Sequence, residues 1–215
     1  MGQPLTAGRF ISLEGGEGAG KSTQLRFLHE TLDSAGLPVL ATREPGGAPG
    51  AEEIRKLLVE GPPQRWDAET EVLLMVAARR SHLTETVWPA LREGKWVLCD
   101  RFSDSTLAYQ GYGRGLPRGF LSELHRFIAA DFKPDLTLIL DLPVEIGISR
   151  ALGRTGQETR FERMDWAFHE RVRQGFLEIA QAEPQRCAVI DASLDLERVR
   201  AAIRDTVRDR LGVAI

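Results

Sequence analysis

Residues 15–22 read Gly-Gly-Glu-Gly-Ala-Gly-Lys-Ser, a complete G-x-x-x-x-G-K-[ST] loop. An apolar β-type run, Phe10-Ile-Ser-Leu-Glu14, leads into it, and a helical pattern starts near Lys21. This strand–loop–helix context is the one in which such a loop binds phosphate. Gly15, Gly16, Gly18 and Gly20 let the backbone curl until successive N–H groups face one anion-sized cavity, at a helix N-terminus that already favours negative charge. Glu17 and Ala19 complete the loop and Thr23 follows it. In this arrangement Lys21 reaches the β- and γ-phosphates, and the Ser22 hydroxyl ligates Mg2+. The chain is therefore expected to bind a nucleoside triphosphate.

Apolar β-rich runs recur at 9–14, 37–42, 96–100, 135–142 and 186–191, with helical patterns between them. That alternation predicts an α/β fold, a five-stranded parallel sheet flanked by helices in three layers. A helix over 20–35 sets Leu25, Leu28 and Leu32 on one side, and the C-terminal helix repeats Val199, Ile203, Val207 and Leu211 at i+4. A third, over about 161–182, carries Phe161, Met164, Phe168, Val172 and Phe176 on one stripe. These stripes are core. The segment 68–93 differs, because its centre, Val72-Leu-Leu-Met-Val-Ala-Ala78, is apolar all round. Such a helix is buried on every face, within its own domain or partly against a second subunit. Gly/Pro-rich loops are expected at 45–50 and 61–63, and 150–160 is polar and arginine-bearing without periodicity.

The 215 residues suit a single α/β domain spanning 1–215, and a net charge of −3 gives no basic field to attract nucleic acid. Cys99 and Cys187 lie far apart in apolar runs and read as buried, reduced thiols of a cytoplasmic protein. His29, His82, His125 and His169 have no ligand spacing. No signal peptide or membrane span is expected.

A phosphate loop alone leaves GTPase switches, motor ATPases, transporters and small-molecule kinases open. The chain contains no asparagine, so the Asn-Lys-x-Asp guanine-reading segment is absent, as is the Leu-Ser-Gly-Gly transporter signature. What remains is a compact domain with arginines in several loops after strands. That suits a second phosphorylated substrate, since phosphoryl transfer depends on positioning and charge neutralisation. A kinase and a slowly hydrolysing nucleotide switch both stay possible at this stage.

Further motifs narrow the choice. They are Thr42-Arg-Glu-Pro-Gly-Gly47, Ala77-Ala-Arg79, Asp100-Arg-Phe102, Asp104-Ser-Thr-Leu-Ala-Tyr-Gln-Gly111, Pro134-Asp-Leu136 and Phe168-His-Glu-Arg-Val-Arg173. With the phosphate loop, and in this order over nearly the whole chain, they resemble thymidylate kinases, which phosphorylate dTMP with ATP. The resemblance implies the three-layer phosphate-loop kinase fold, ATP and Mg2+ as cofactors, dTMP as substrate and a homodimer.

The resemblance also implies roles for individual residues. Ser22 and Asp100 organise the metal, and Lys21 and Arg101 are catalytic, Arg101 holding the acceptor monophosphate with its guanidinium fork. Arg43 and Pro45 lie near the acceptor, although a surface ion pair between Arg43 and Glu44 is the structural alternative. Glu17, also a catalytic candidate, contacts the region of the sugar 3′-hydroxyl, and Tyr109 packs near the sugar 2′ carbon. Arg79, costly to bury unpaired, meets the thymine O4 edge, with Thr106 and Gln110 on the base side. Met75 stands where the family has a stacking aromatic, and Ser81 where it has glutamine. Gly18 takes a position that other members fill with arginine. A catalytic arginine is therefore expected from a lid over about 150–163, with Arg150, Arg154 and Arg160 as candidates.

Overall fold

The computed structural model describes residues 8–153 and 160–215. Five parallel strands, β1 (Phe10–Glu14), β2 (Val39–Arg43), β3 (Trp96–Asp100), β4 (Leu136–Asp141) and β5 (Cys187–Asp191), form one sheet in the order β2-β3-β1-β4-β5. Each lies within two residues of its predicted run. The helices are α1 (Lys21–Ser34), α2 (Pro49–Val59), α3 (Ala68–His82), α4 (Trp88–Arg92), α5 (Ser103–Thr106), α6 (Arg118–Ala129), α7 (Val144–Leu152), α8 (Trp166–Ala182) and α9 (Leu196–Leu211).

Strand alternation sorts the core into two layers. Ile11, Leu13, Leu98 and Leu138 pack on Leu28 and Leu32 of α1 and on Val199, Ile203 and Val207 of α9. Phe10, Val97 and Cys99 face the other way, onto Val72 and Val76 of α3 and Leu121 and Ile128 of α6. Phe168, Val172 and Phe176 of α8 cover Ile139 beside them. Each such side chain, fully buried, contributes about 1.5–3 kcal/mol. Because β1 is central, its odd neighbours matter: Ser12 and Glu14 share the face of Phe10, where a polar group needs a partner. Ser12 Oγ finds Thr137 Oγ1 at 3.0 Å. Both cysteines are free and buried, as expected.

One expectation needs correction and one open alternative is narrowed. The helix predicted over 161–182 begins at Trp166, because the Asp165 side chain accepts from Phe168 N at 2.7 Å and caps it there. Phe161 and Met164 still reach the same core from the preceding turns. The segment 68–93 is helical throughout, widening over Leu83–Val87 ahead of Pro89, which has no N–H to donate. It is not buried on all faces within one chain: Leu73 is 55% exposed and Ala77 is also exposed. No helix among the described residues is long and apolar enough to cross a membrane.

Candidate active site

The carboxyl ends of β1, β2 and β3 open into one cleft of about 290 Å3, at the side of the sheet where connections diverge from the central strand. The phosphate loop forms one wall. Gly15, Gly18 and Gly20 have φ of 133°, 68° and 89°, values that side-chain-bearing residues rarely adopt. At Gly18 a Cβ would also lie 1.9 Å from Gly147 O at the start of α7. An arginine at that position would thus need α7 to move, which gives a physical reason for glycine here. Lys21 folds back onto the loop, donating to Gly15 O at 3.1 Å and Gly16 O at 2.8 Å. Burial and the nearby Arg101 push its ammonium down to about 8, against the pull of Glu17, Asp100 and Glu14. Ser22 Oγ donates to Asp100 Oδ2 at 2.7 Å, so the end of β3 and the start of α1 meet as a hydroxyl–carboxylate pair.

Arg101 follows Asp100 with φ +71°, a left-handed conformation unfavourable for a residue with a side chain. Its N–H donates to Leu13 O at 3.0 Å and its carbonyl accepts from Cys99 Sγ at 3.0 Å, which hold the turn. The turn aims the guanidinium back across the cleft. Nη1 donates to Gly15 O at 3.0 Å and Ser105 Oγ at 3.2 Å, and Nη2 to Glu17 Oε1 at 3.0 Å and Tyr109 Oη at 2.9 Å. Tyr109 Oη in turn donates to Glu17 Oε1 at 2.7 Å. Burial alone would raise the Glu17 carboxyl, but Arg101, Lys21 and the tyrosine hydroxyl hold it at about 2. A carboxylate inside a phosphate loop is thereby ion-paired with Arg101 rather than left as a bare negative charge in the cleft.

The far wall carries Met75, Arg79, Thr106 and Gln110. Arg79, which the sequence marks as costly to bury unpaired, already has partners within the chain. Its Nε donates to Glu44 Oε2 at 2.7 Å and its Nη2 to Phe102 O at 3.1 Å and Thr106 Oγ1 at 2.8 Å. Only Nη1 is left buried without a partner. Gln110 Nε2 donates to Glu71 Oε1 at 2.8 Å, and its Oε1 is likewise buried and unpartnered. One unmet donor and one unmet acceptor thus lie on side chains of the same wall.

The sequence matches the thymidylate kinase family model over residues 13–203. The chain belongs to the thymidylate kinase family. It is 56% identical over 209 residues to the thymidylate kinase of Caulobacter vibrioides, covering 97% of this chain and 100% of that one. With that of Magnetococcus marinus it is 51% identical over 207 residues, covering 96% and 99%. Its structure is similar to the crystal structure of thymidylate kinase from Ehrlichia chaffeensis, with a TM-score of 0.75 at 34% identity over 94% of this chain and 99% of that one.

The structure thus brings Glu17, Lys21, Ser22, Arg43, Pro45, Met75, Arg79 and Asp100 into one cleft, together with Arg101, Thr106, Tyr109 and Gln110. The lid arginines are placed otherwise. Arg150 lies in the last turn of α7 with a long 3.5 Å contact to Ala192 O and does not line the cleft. Arg160 is wholly buried and donates to Leu58 O, Pro63 O and Glu71, so its guanidinium is spent inside the fold rather than offered to phosphate. Arg154 lies outside the described residues. Arg43 pairs with Glu52, both of whose oxygens it reaches at 3.0 Å, and not with Glu44. Glu44 is turned inward to Arg79 and His82, which hold its carboxyl below the usual range despite burial.

Sequence reasoning missed Glu44, and it missed Glu14. Glu14 is buried under the cleft and accepts from Phe102 N at 2.7 Å and Ser105 Oγ at 2.5 Å. Burial and Asp104 push it up to about 7, against Ser105, Arg101 and Phe102 N–H. An acid closing a largely apolar run was the available signal.

Proposed function

We propose that the chain transfers the γ-phosphoryl group of ATP to dTMP, yielding dTDP, as one kinase domain with a lid over about 150–163. The observation that carries this reading is the cleft itself. Its phosphate loop lies at one end, Arg101 crosses its middle, and the unmet donor of Arg79 and unmet acceptor of Gln110 belong to its far wall. Thymine offers the complementary pair, an O4 acceptor and an N3–H donor. In this reading Met75 packs on the base, Thr106 supports Arg79, and Tyr109 and Glu17 border the sugar. Arg43 and Pro45 border the acceptor from the loop after β2, and Arg101 holds its phosphate.

The residues at the loop mouth also fit Mg2+. A serine hydroxyl and a carboxylate supply hard oxygens 2.7 Å apart, and no cluster of three or more His, Cys, Asp or Glu competes for the ion among the described residues. Such a set suits a cation that takes most of its ligands from nucleotide phosphates and water. When bound, the ion neutralises charge on the transferring phosphates. The rest falls to the protein. Lys21 leaves the loop carbonyls for the phosphate oxygens, and Arg101 orients an acceptor that is already ionised, so no general base is required.

The test is coupled ADP release from Mg-ATP with dTMP, dUMP, dCMP, AMP and no acceptor. Turnover with dTMP far above dCMP and AMP is expected; turnover with another acceptor and none with dTMP overturns the reading.

We also propose a homodimer. Leu73 on α3 and Phe127 on α6, two helices that pack together, are 55% and 88% exposed. Exposed apolar groups of this size support a subunit contact. Light scattering at micromolar concentration is expected to give about twice the chain mass of 23.9 kDa. The double substitution Leu73→Glu, Phe127→Glu is expected to give the monomer; a monomeric unaltered chain overturns the proposal.

A further inference from the structure

Glu71 takes no part in the chemistry described above, yet it is wholly buried one helical turn before Met75. Its two oxygens are divided between different partners. Oε2 accepts from Arg114 Nη2 at 2.9 Å and from Arg160 Nη2. Oε1 accepts from Gln110 Nε2 at 2.8 Å. The arginines are anchored independently: Arg160 Nε and Nη1 donate to Leu58 O at 3.0 Å and Pro63 O at 2.8 Å, its backbone N–H to Val59 O at 3.0 Å, and Arg114 Nη2 also reaches Pro63 O at 3.2 Å. The carboxylate therefore cannot rotate away without abandoning two charge-assisted bonds.

A carboxamide has two nearly isosteric ends of opposite hydrogen-bonding sense, and its surroundings decide which way round it sits. Facing two guanidinium groups, the Glu71 carboxylate offers Gln110 acceptors only. Gln110 must therefore give it the NH2, which leaves the oxygen as the end that Glu71 does not use. That oxygen is the buried, unpartnered Oε1.

We propose that Glu71 is a positioning residue for base selection. By fixing the Gln110 amide with its oxygen free, it makes the site favour a pyrimidine bearing a ring N3–H over one whose N3 is a bare acceptor, as in cytosine. The proposal rests on the placement of the base against Arg79 and Gln110 given above. It also gives Arg160 a structural task, since the residue at the end of the lid segment clamps the acid that orients the base pocket.

Glu71→Gln tests this directly because it is nearly isosteric. Arg114 and Arg160 retain the carboxamide oxygen, so the new NH2 replaces Oε1 and faces Gln110. Gln110 must then turn over to accept, presenting its own NH2 to the base. The probe is 5-methyl-dCMP, which keeps the shape of dTMP and changes only the hydrogen-bonding edge. In the variant, kcat/KM for dTMP is expected to fall about 100-fold, mostly through KM, and less for 5-methyl-dCMP, so that the ratio between them drops at least about tenfold. KM for ATP is expected to stay within about twofold.

A purely structural role for Glu71 lowers both acceptors equally, and an unchanged ratio in folded protein overturns the proposal. Glu71→Asp retains the charge opposite the arginines while withdrawing the carboxylate from Gln110. It is expected to move the ratio the same way, and it carries the test if the glutamine variant does not fold. Gln110→Leu separates the two levels of inference. If it leaves KM for dTMP unchanged, the placement of the base is wrong and the proposal falls with it. If it raises KM while Glu71→Gln keeps the ratio, only the role of Glu71 is wrong.

Discussion

Arg101→Ala is expected to lower kcat/KM for dTMP by about 1,000-fold or more, while ATP affinity changes by less than about threefold. The side chain sits between the phosphate loop and the acceptor wall, in a left-handed turn held by Leu13 O and Cys99 Sγ. Burial works against its charge, but Tyr109, Glu17, Asp100 and Glu14 hold its pKa above the ordinary arginine value, so it is a permanent cation. Without it a phosphate dianion at the centre of the cleft meets Glu17 with no intervening charge, and Tyr109 loses the donor at 2.9 Å. Arg101→Lys separates charge from fork geometry and is expected to recover only part of the loss, since a lysine supplies a point charge without paired donors. Steady-state kinetics with both substrates and an equilibrium titration with ATP make the measurement. Loss of ATP binding, or turnover near that of the unaltered protein, refutes the assigned role, because Arg101 also touches Gly15 O of the donor loop.

The second large effect is expected from Lys21→Met. Phosphoryl transfer should fall by about 1,000-fold, because the ammonium is the loop's side-chain cation for the β- and γ-phosphates. Folding should not suffer, and the melting temperature of the ligand-free protein at pH 7 is expected to hold or rise. Lys21 is buried on a loop of carbonyls beside Arg101, and its pKa is depressed from 10.5 to about 8. A cation with a depressed pKa binds fewer protons folded than unfolded between those values, so its contribution makes stability rise with pH from about 8 to 10.5. The methionine variant should lack that rise. Nucleotide phosphates reverse the bias by favouring the ammonium form, so ATP binding above about pH 8 should take up a proton. Calorimetry in buffers of different ionisation enthalpy reads this directly. Its absence in the unaltered protein places Lys21 outside the phosphate site.

The contrast between these residues shows how much of the site the chain disclosed. Gly15 to Ser22 is contiguous, and its chemistry follows from local geometry, in which glycines with positive φ lead into a helix start. Asp100 was legible because it ends an apolar run, and the structure puts it 2.7 Å from Ser22. Arg79 was recognisable as a charge on an apolar helix, but its partner was not. Glu44 lies 35 positions away, and only the packing of α3 against the end of β2 brings the two within 2.7 Å. Arg160 is the clearest reversal. In sequence it is one of three arginines in a polar segment; in the fold it is wholly buried against Glu71, 89 residues earlier.

Periodicity and local motif chemistry determined the five parallel strands, the phosphate loop and the buried cysteines. These properties depend on residues within a few positions of one another, where backbone geometry fixes who meets whom. Tertiary structure alone decided which side chains share a hydrogen bond. Glu17 is turned to Arg101 and Tyr109, Glu44 to Arg79 and His82, and Glu71 to Arg114, Arg160 and Gln110. A buried carboxylate must find its donors wherever the packed helices and strand ends deliver them, and that delivery is a property of the assembled sheet and its two helical layers.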